Sequence, residues 1–263
     1  MEAVQKNGLI SYEFDDFFPK GIVHGFFTRK GGVSPPPWAS LNLGGTVGDS
    51  RNHVIENRKR IFENIGLKID SIFDVWQVHS ADVIQAENPR LLSEPHQKAD
   101  AILTDRPGIT LFMRFADCVP IMLFDPIRKV IGMVHAGWKG TIQNIVGVSV
   151  TAMIEKYGCN PADIRAGIGP SICPNHYEVG PNVVEAAQVV FQKESRLVLQ
   201  KRNGSEFFDL WAANRILLDQ VGVKLIRVGG LCTACDTDHW YSHRAEQGRT
   251  GRFGALITLQ EPE

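Results

Sequence analysis

Residues 110–141 read TLFMRFADCVPIMLFDPIRKVIGMVHAGWKGT, and the succession of apolar runs and turns in this stretch decides the fold. Three of its runs have the length and composition of β-strands: Thr110–Phe115, Ile121–Asp125 and Val130–His135. The segment DPIRK between the last two runs has the residues of a tight turn. The stretch therefore predicts consecutive strands of a sheet, followed by a helix over Thr141–Tyr157 with Thr141 as its N-cap.

The same kind of strand signal continues on both sides of this stretch. Further strands are predicted at Ile72–Val78, Val83–Ala86, Ala101–Thr104, Arg165–Gly169, Lys224–Gly229 and Gly254–Leu259. Apolar residues at helical spacing predict helices over Arg51–Ile65, Pro181–Lys193 and Phe208–Val221. Because the strands bunch in the centre and do not alternate strictly with helices, we expect an α+β fold, a mixed β-sheet core layered with helices. A single domain over 1–263 is expected, and its glycine- and proline-rich loop Thr28–Gly48 is expected to be ordered and to line a site.

The composition excludes several classes of protein. The chain has 263 residues with 28 Lys plus Arg against 29 Asp plus Glu, so its net charge of −1 supplies no basic field for nucleic acid. The N-terminus lacks the basic start and apolar run of a secretory signal, and no apolar run is long enough for a membrane span. Five cysteines are an odd number in a chain that needs no disulfide framework. We therefore expect reduced thiols and a cytoplasmic location.

Three residues stand where chemistry is more expected than packing. His79, Cys118 and His135 each follow or close an apolar run, and strand ends that meet in one sheet can bring three side chains together. Two imidazoles and one thiolate suit Zn²⁺ with a fourth position open, which is the catalytic arrangement. The alternative from the residues alone is that the histidines are satisfied core or surface residues and Cys118 is a small buried hydrophobe.

A rival group lies near the C-terminus, where LCTACDTDHWYSH carries Cys232, Cys235, His239 and His243. Its C-x2-C half is typical of a zinc knuckle or a redox pair, but too little chain separates the cysteine and histidine pairs to wrap four ligands around one ion. In the turn HAGWKGT, the start of the predicted helix and Lys139 could attract phosphate, although a plain strand–helix turn explains this turn equally well. The loop GIGPSICPNHYEVG and the arginines of SHR and TGR are not diagnostic by themselves.

Motifs in this order run from about Phe26 to Ile257: TRKGGVS, SLNLG, QVHSADV, ADCVP, HAGWKGT, GIGPSICPNHYEVG, DLWAANR, SHR and TGR. Together they resemble the purine nucleoside phosphorylase family formerly called multicopper polyphenol oxidases or laccase-domain (YfiH-like) proteins. The resemblance implies a fold related to that of a cysteine-hydrolase-like toxin. It also implies phosphorolysis of adenosine, inosine and S-methyl-5'-thioadenosine, with hydrolytic deamination of adenosine as a second activity.

The resemblance further implies that His79, Cys118 and His135 are the zinc ligands, with copper as the other candidate metal. Phosphorolysis requires cations for phosphate and deamination requires an acid/base group. The candidates for substrate and phosphate binding are Arg29, Asn42, Lys139, Arg244 and Arg252. The candidates for catalysis are Cys118, His135, Asp117 and Glu178. A nucleoside and phosphate are the expected partners, without nucleic acid or membrane, and the sequence does not predict the oligomeric state.

Three other functions stay open at this point. A blue-copper oxidase also uses two histidines and one cysteine, but the eight histidines include no H-x-H pair for a trinuclear copper cluster. A cysteine hydrolase would use Cys118 as its nucleophile with His135 or His79 as base. A metal-dependent interaction module would have no turnover of nucleosides.

Overall fold

The computed structural model describes residues 1–260, and the last three residues of the predicted domain lie outside this range. The strands are β1 (Glu2–Lys6), β2 (Leu9–Glu13), β3 (Ile22–Phe27), β4 (Ile72–Phe73), β5 (Val83–Gln85), β6 (Ala101–Thr104), β7 (Thr110–Phe115), β8 (Val119–Asp125), β9 (Val130–Ala136), β10 (Arg165–Ile168), β11 (Glu178–Val179), β12 (Leu199–Arg202), β13 (Ser205–Phe208), β14 (Leu225–Val228) and β15 (Phe253–Leu259). The α-helices are α1 (Arg51–Asn64), α2 (Trp138–Ile142), α3 (Ile145–Tyr157), α4 (Pro181–Phe191), α5 (Ser195–Val198) and α6 (Leu210–Gln220).

The strands form two six-stranded sheets and one small sheet. The first sheet has the order β1-β2-β3-β15-β7-β4, the second β14-β10-β8-β9-β6-β5, and the third β11-β13-β12. Both large sheets are mixed, because β4 pairs with β7, β5 with β6 and β10 with β14 in parallel while the remaining pairs are antiparallel. This arrangement confirms the predicted α+β fold with mixed sheets and helices.

The two large sheets pack face to face and helices cover their outer faces. One core cluster lies between the sheets and joins Phe26 and Met113 of the first sheet to Met122 and Met133 of the second. The outer face of the second sheet is covered by α3, α4 and α6, and the outer face of the first by α1 with part of the long N-terminal loop. Strands buried on both faces are near-continuous apolar runs, which is why β7, β8 and β9 are so clear in the sequence.

Two predicted elements differ from the structure. The predicted helix over Thr141–Tyr157 is two helices, because the chain turns at Asn144, which has a positive φ of 57°. The Asn144 side chain accepts from the amide of Gly147 and caps α3, so Thr141 is not the N-cap. The predicted strand Ile72–Val78 ends after Phe73, since the buried carboxylate of Asp74 binds arginines and the following residues leave the sheet.

Six strands outside the central stretch have no counterpart in the sequence prediction. They are β1, β2, β3, β11, β12 and β13. Two of the missed hairpins have two-residue turns of the sequence Asn-Gly, at Asn7-Gly8 between β1 and β2 and at Asn203-Gly204 between β12 and β13. No helix within residues 1–260 has the length and apolar character to cross a membrane.

Candidate active site and metal centre

One large cavity opens where the second sheet meets the loops around it. Its volume is about 1040 Å³, and its wall includes His79, Cys118 and His135. The turn from β9 into α2 contributes Trp138 and Lys139. The loop Thr28–Gly48 has no helix or strand, but its Leu41 and Leu43 are buried in the core and its Gly44, Gly45 and Thr46 line this cavity.

The donor atoms of His79, Cys118 and His135 lie within 4.8 Å of one another. His135 is in β9 and Cys118 directly precedes β8, and the antiparallel pairing of Val119 with Ala136 brings the two side chains to one edge. His79 comes from the loop after β4 and has a positive φ of 61°. The three residues are therefore together. Cys118 lies in the short connection between β7 and β8 and His135 lies near the end of β9, as the strand-end argument expected. His79 differs, because the strand predicted to reach Val78 ends at Phe73.

Asp100 holds both histidines in place, and the sequence analysis did not find it. Its Oδ1 lies 2.8 Å from Nδ1 of His135, so the imidazole donates there and presents Nε2 toward Cys118. Its Oδ2 accepts from the backbone amides of Val78 and Ser80, on either side of His79. A carboxylate behind a ligating imidazole fixes its tautomer and raises its basicity. An aspartate just before an apolar strand was the only signal for it in the sequence.

The electrostatics of the trio favour a thiolate. Burial opposes ionisation of Cys118, but the positive charge of His135 and hydrogen bonds from both histidines lower the pKa of the thiol to about 6. Burial likewise opposes protonation of His135, but Cys118 and Asp100 raise the pKa of its imidazole to about 9. A thiolate and two oriented imidazoles suit a zinc or copper ion, which would bind the imidazoles in their neutral form and displace the proton from His135.

Gly137 leaves the space that this trio needs. A Cβ at this position would lie 2.9 Å from Sγ of Cys118 and 3.0 Å from Cδ2 of His79, closer than such atoms normally approach. Its φ of −75° is open to any residue, so the requirement for glycine comes from the neighbouring side chains. Donor chemistry, the supporting carboxylate and this space together fit a metal ion.

Three of the predicted phosphate-binding residues lie in the cavity wall: Lys139, Arg244 and Arg252. The Arg244 guanidinium donates to the carbonyl of Glu178 at 2.8 Å and lies over the ring of Tyr177. The Arg252 guanidinium donates to the carbonyls of Thr250 and Gly251. Both arginines are therefore held by backbone groups that carry no negative charge, and their charge stays available to an anion.

The other two predicted phosphate-binding residues do not line the cavity. Arg29 forms an ion pair with Glu246 at 3.0 Å and lies over the ring of Tyr241. Asn42 is fully buried, and its side-chain Oδ1 accepts from the backbone amides of Gly44 and Arg252. Asn42 therefore supports two residues of the wall without reaching the cavity.

The predicted acid/base residues are engaged in holding loops. The Asp117 carboxylate accepts from the Thr233 hydroxyl at 2.6 Å and from the Arg244 amide at 2.6 Å. Asp117 lines the cavity, and each of its two oxygens accepts one of these hydrogen bonds. The Glu178 residue is exposed and is not part of the wall; its carbonyl anchors Arg244.

A cationic group at the far side of the cavity was also missed. Asp74 is buried and forms ion pairs with Arg58, Arg90 and Arg114 and a contact with His96, and all four partners line the cavity. Burial opposes the charge of Asp74, but the hydrogen bond from His96 and the nearby arginines hold the pKa of its carboxyl well below its usual range. Three guanidinium groups around one carboxylate leave this part of the wall positive.

Within residues 1–260, Cys232, Cys235, His239 and His243 do not gather into one group of potential ligands, in agreement with the short spacing between the cysteine and histidine pairs. His239 is bonded to Asp236 through Nδ1 at 2.8 Å, and His243 lines the large cavity. Cys232 and Cys235 instead meet Cys173 and His176 from the loop GIGPSICPNHYEVG.

The amino-acid sequence is similar to those of several bacterial proteins. The chain is 40% identical over 242 residues to the purine nucleoside phosphorylase of Deinococcus radiodurans, which covers 92% of this chain and 91% of that protein. It is 36% identical over 250 residues to purine nucleoside phosphorylase YlmD of Bacillus subtilis, and the match covers 92% of this chain and 90% of that protein.

Solved structures give the same result. YlmD from Geobacillus stearothermophilus matches with a TM-score of 0.91 at 34% identity, over 98% of this chain and 99% of that one. The Bacillus licheniformis hypothetical protein YfiH matches with a TM-score of 0.90 at 33% identity, over 96% and 97%. Residues 23–260 match the family model described as Multi-copper polyphenol oxidoreductase laccase. The chain therefore belongs to this laccase-like family, whose YfiH and YlmD members it resembles over nearly its whole length.

Proposed function

We propose that this protein is a metal-dependent purine nucleoside phosphorylase that accepts adenosine, inosine and S-methyl-5'-thioadenosine and also deaminates adenosine. The observation that carries the proposal is the joint placement of the His79, Cys118 and His135 donors and three cations, Lys139, Arg244 and Arg252, in one cavity wall. The relatives named purine nucleoside phosphorylase support the reaction class.

The substrates fit the chemistry of the wall. A cavity of about 1040 Å³ has room for a nucleoside together with phosphate. Trp76, Trp138 and Tyr177 line it with aromatic rings suited to the face of a purine. Trp76 is 50% exposed, so its ring is accessible to a ligand in the cavity.

In phosphorolysis, a phosphate oxygen forms a bond to the anomeric carbon of the ribose while the bond from that carbon to the purine nitrogen breaks. The electron pair of the broken bond leaves with the base, which then takes a proton. Lys139, Arg244 and Arg252 would bind and orient the phosphate, since guanidinium and ammonium groups pair with its oxygens. His79, Cys118 and His135 would hold zinc, with copper as the alternative, and the ion would supply Lewis-acid assistance near the departing base.

Deamination needs a water and a group that moves its proton. The Asp117 carboxylate is the nearest candidate of the two predicted from sequence, because it lines the cavity whereas Glu178 does not. Each oxygen of the Asp117 carboxylate accepts one hydrogen bond and has a second lone pair that could accept from the water. We place the enzyme in the cytoplasm, where its five free cysteines would stay reduced.

The test is anaerobic purification followed by assays of adenosine, inosine and S-methyl-5'-thioadenosine with and without phosphate. We expect the free base and the sugar phosphate only when phosphate is present, and ammonia from adenosine. Cys118→Ala should lose both activities and release the ion of this site. A Cys118→Ala protein with an unchanged metal content and normal phosphorolysis would contradict the proposal.

A cysteine hydrolase is the second candidate, because the lowered pKa of Cys118 beside His135 is also what a nucleophilic thiol requires. Alkylation separates the two functions. A metal-bound thiolate should react with iodoacetamide only after a chelator is added, whereas a free nucleophile should react at once.

A copper oxidase receives less support. Within residues 1–260, potential ligands gather in one group with two histidines and one cysteine and in another with one histidine and three cysteines. Neither provides the several histidines of a trinuclear copper cluster. A thiolate charge-transfer band in the copper-loaded protein, together with oxidation of a phenol, would favour this third function.

A further inference from the structure

A second group of potential ligands lies outside the trio of the large cavity. It consists of Cys173, His176, Cys232 and Cys235, which we name the Cys3His cluster. Their donor atoms all lie within 4.8 Å of one another. The four residues come from two loops far apart in sequence, so their convergence is a property of the fold.

The distances within the cluster are those of ligands around one ion. Nδ1 of His176 lies 3.4 Å from Sγ of Cys173, 3.8 Å from Sγ of Cys232 and 3.5 Å from Sγ of Cys235. With a Zn–S bond of about 2.3 Å and a Zn–N bond of about 2.0 Å, a tetrahedral angle separates sulfur from nitrogen by about 3.5 Å. The three measured separations lie close to this value.

The local sequence and backbone have the form of two metal-binding turns. Cys173-Pro-Asn-His176 has the spacing C-x2-H, and Cys232-Thr-Ala-Cys235 has the spacing C-x2-C. The His176 amide donates to the Cys173 carbonyl at 3.1 Å, which closes the first turn. The Cys173 amide donates to Sγ of Cys232 at 3.2 Å, so a sulfur of one turn is already an acceptor for the other.

We propose that Cys173, His176, Cys232 and Cys235 form a second metal site, a structural tetrahedral zinc site. Three thiolates and one imidazole complete the coordination with protein ligands, which leaves no open position for substrate. Zinc with three thiolates carries a net negative charge, and two cations border it. Arg202 donates to the Pro174 carbonyl at 2.7 Å, and Arg244 donates to the His176 carbonyl at 3.4 Å.

The position of the site indicates that an ion there would stabilise part of the wall of the large cavity. Thr233, next to Cys232, donates to Asp117, which is next to the ligand Cys118. Tyr177, next to His176, lines the large cavity with Arg244 above its ring. Joining these two loops through one ion would fix the wall that carries Tyr177 and Arg244.

The proposal is tested by counting zinc in four proteins: wild type, Cys118→Ala, His176→Ala and the double variant. Each is grown with zinc, purified in reducing buffer without chelator, and measured by elemental analysis. We expect two ions per chain in the wild type, one in each single variant and none in the double variant. Because the measurement does not use turnover, its outcome is independent of the proposed phosphorylase function.

Two further variants separate a ligand role from a folding defect. His176 is exposed, so His176→Ala removes a ligand without opening a hole in the core. His176→Cys supplies a fourth thiolate and should restore the second ion. Cys159→Ser is the matched control, because Cys159 is a free cysteine outside both groups and should leave two ions.

Cobalt gives a spectroscopic readout of the same site. Cobalt-loaded Cys118→Ala should show the thiolate charge-transfer bands of a tetrahedral site, and the double variant should lack them. The proposal is overturned if Cys118→Ala contains no zinc or if His176→Ala keeps the wild-type zinc content. It is also overturned if mass spectrometry of protein purified in reducing buffer shows a disulfide between Cys232 and Cys235.

Discussion

Asp100 supports the candidate metal centre without being one of its potential ligands. One oxygen orients His135 and the other holds the backbone on both sides of His79. Asp100→Asn replaces one acceptor oxygen by an amide donor, and loss of such a supporting carboxylate lowers metal affinity about 10- to 100-fold. We expect this loss for the cavity site, measured by competition with a chelator of known affinity in His176→Ala protein. Asp82→Asn, at an exposed carboxylate between His79 and β5, is the control, and equal affinity in both variants would contradict the assignment.

Gly137 makes a second prediction for single residues. In Gly137→Ala, the new Cβ would approach Sγ of Cys118 and the ring of His79, so one ligand must move. We expect weaker metal binding and slower turnover with an unchanged far-UV circular dichroism spectrum, since the backbone φ accepts alanine. Gly45→Ala has no atom within 4 Å of its Cβ and should keep the metal affinity of the parent protein. A fully active Gly137→Ala enzyme would show that the ligands do not need this space.

At the scale of elements, the pattern of apolar residues predicted the strands that are buried on both faces. It missed the hairpins whose side chains are half exposed. Strands β7, β8 and β9 are continuous apolar runs and were predicted within a few residues. The hairpins β1–β2 and β12–β13 have few buried side chains, and their evidence was the Asn-Gly dipeptide, which the apolar pattern does not contain. Cys118 could be singled out from its motif, but the proximity of Cys173 and Cys232 requires two loops distant in sequence to meet.

The second of these hairpins permits a prediction. Asn203 and Gly204 have φ values of 49° and 85°, which a two-residue turn requires. Gly204→Ala places a side chain in this conformation and should lower the free energy of unfolding by about 1 kcal/mol. Asn203→Gly should keep the turn, because glycine adopts positive φ without strain. Urea unfolding of both variants measures the difference, and equal losses would show that the turn does not determine the stability of the hairpin.

At the scale of the whole molecule, a near-neutral charge coexists with a strongly cationic cavity. The chain carries a net charge of −1, yet Lys139, Arg244 and Arg252 lie in one wall and the arginines around Asp74 in another. A near-neutral composition therefore weighs against nucleic-acid binding without excluding a local site for a small anion. The two packed sheets allow charges to concentrate in this cavity, because they fix the loops that carry the cationic side chains.

The acid stability of the whole fold follows in part from one histidine in this core. His24 of β3 is 8% exposed, accepts from the Phe14 amide through Nε2 and contacts the ring of Phe18 edge-on. Burial lowers the pKa of its imidazole from 6.5 to about 4, so the folded protein keeps it neutral while the unfolded chain takes up a proton below 6.5. Its contribution to stability is complete above pH 6.5 and is lost as the pH falls toward 4.

A difference of this size corresponds to about 3 kcal/mol, at about 1.4 kcal/mol for each unit of pKa. We expect His24→Gln, which keeps an acceptor for the Phe14 amide, to lose less stability between pH 7 and pH 4.5 than the wild type. Urea unfolding of both proteins at the two pH values measures this, and acid effects at the metal ligands and at Asp74 cancel because both proteins share them. If the two proteins lost the same free energy of unfolding on acidification, the buried neutral imidazole would not be a source of the acid sensitivity of the fold.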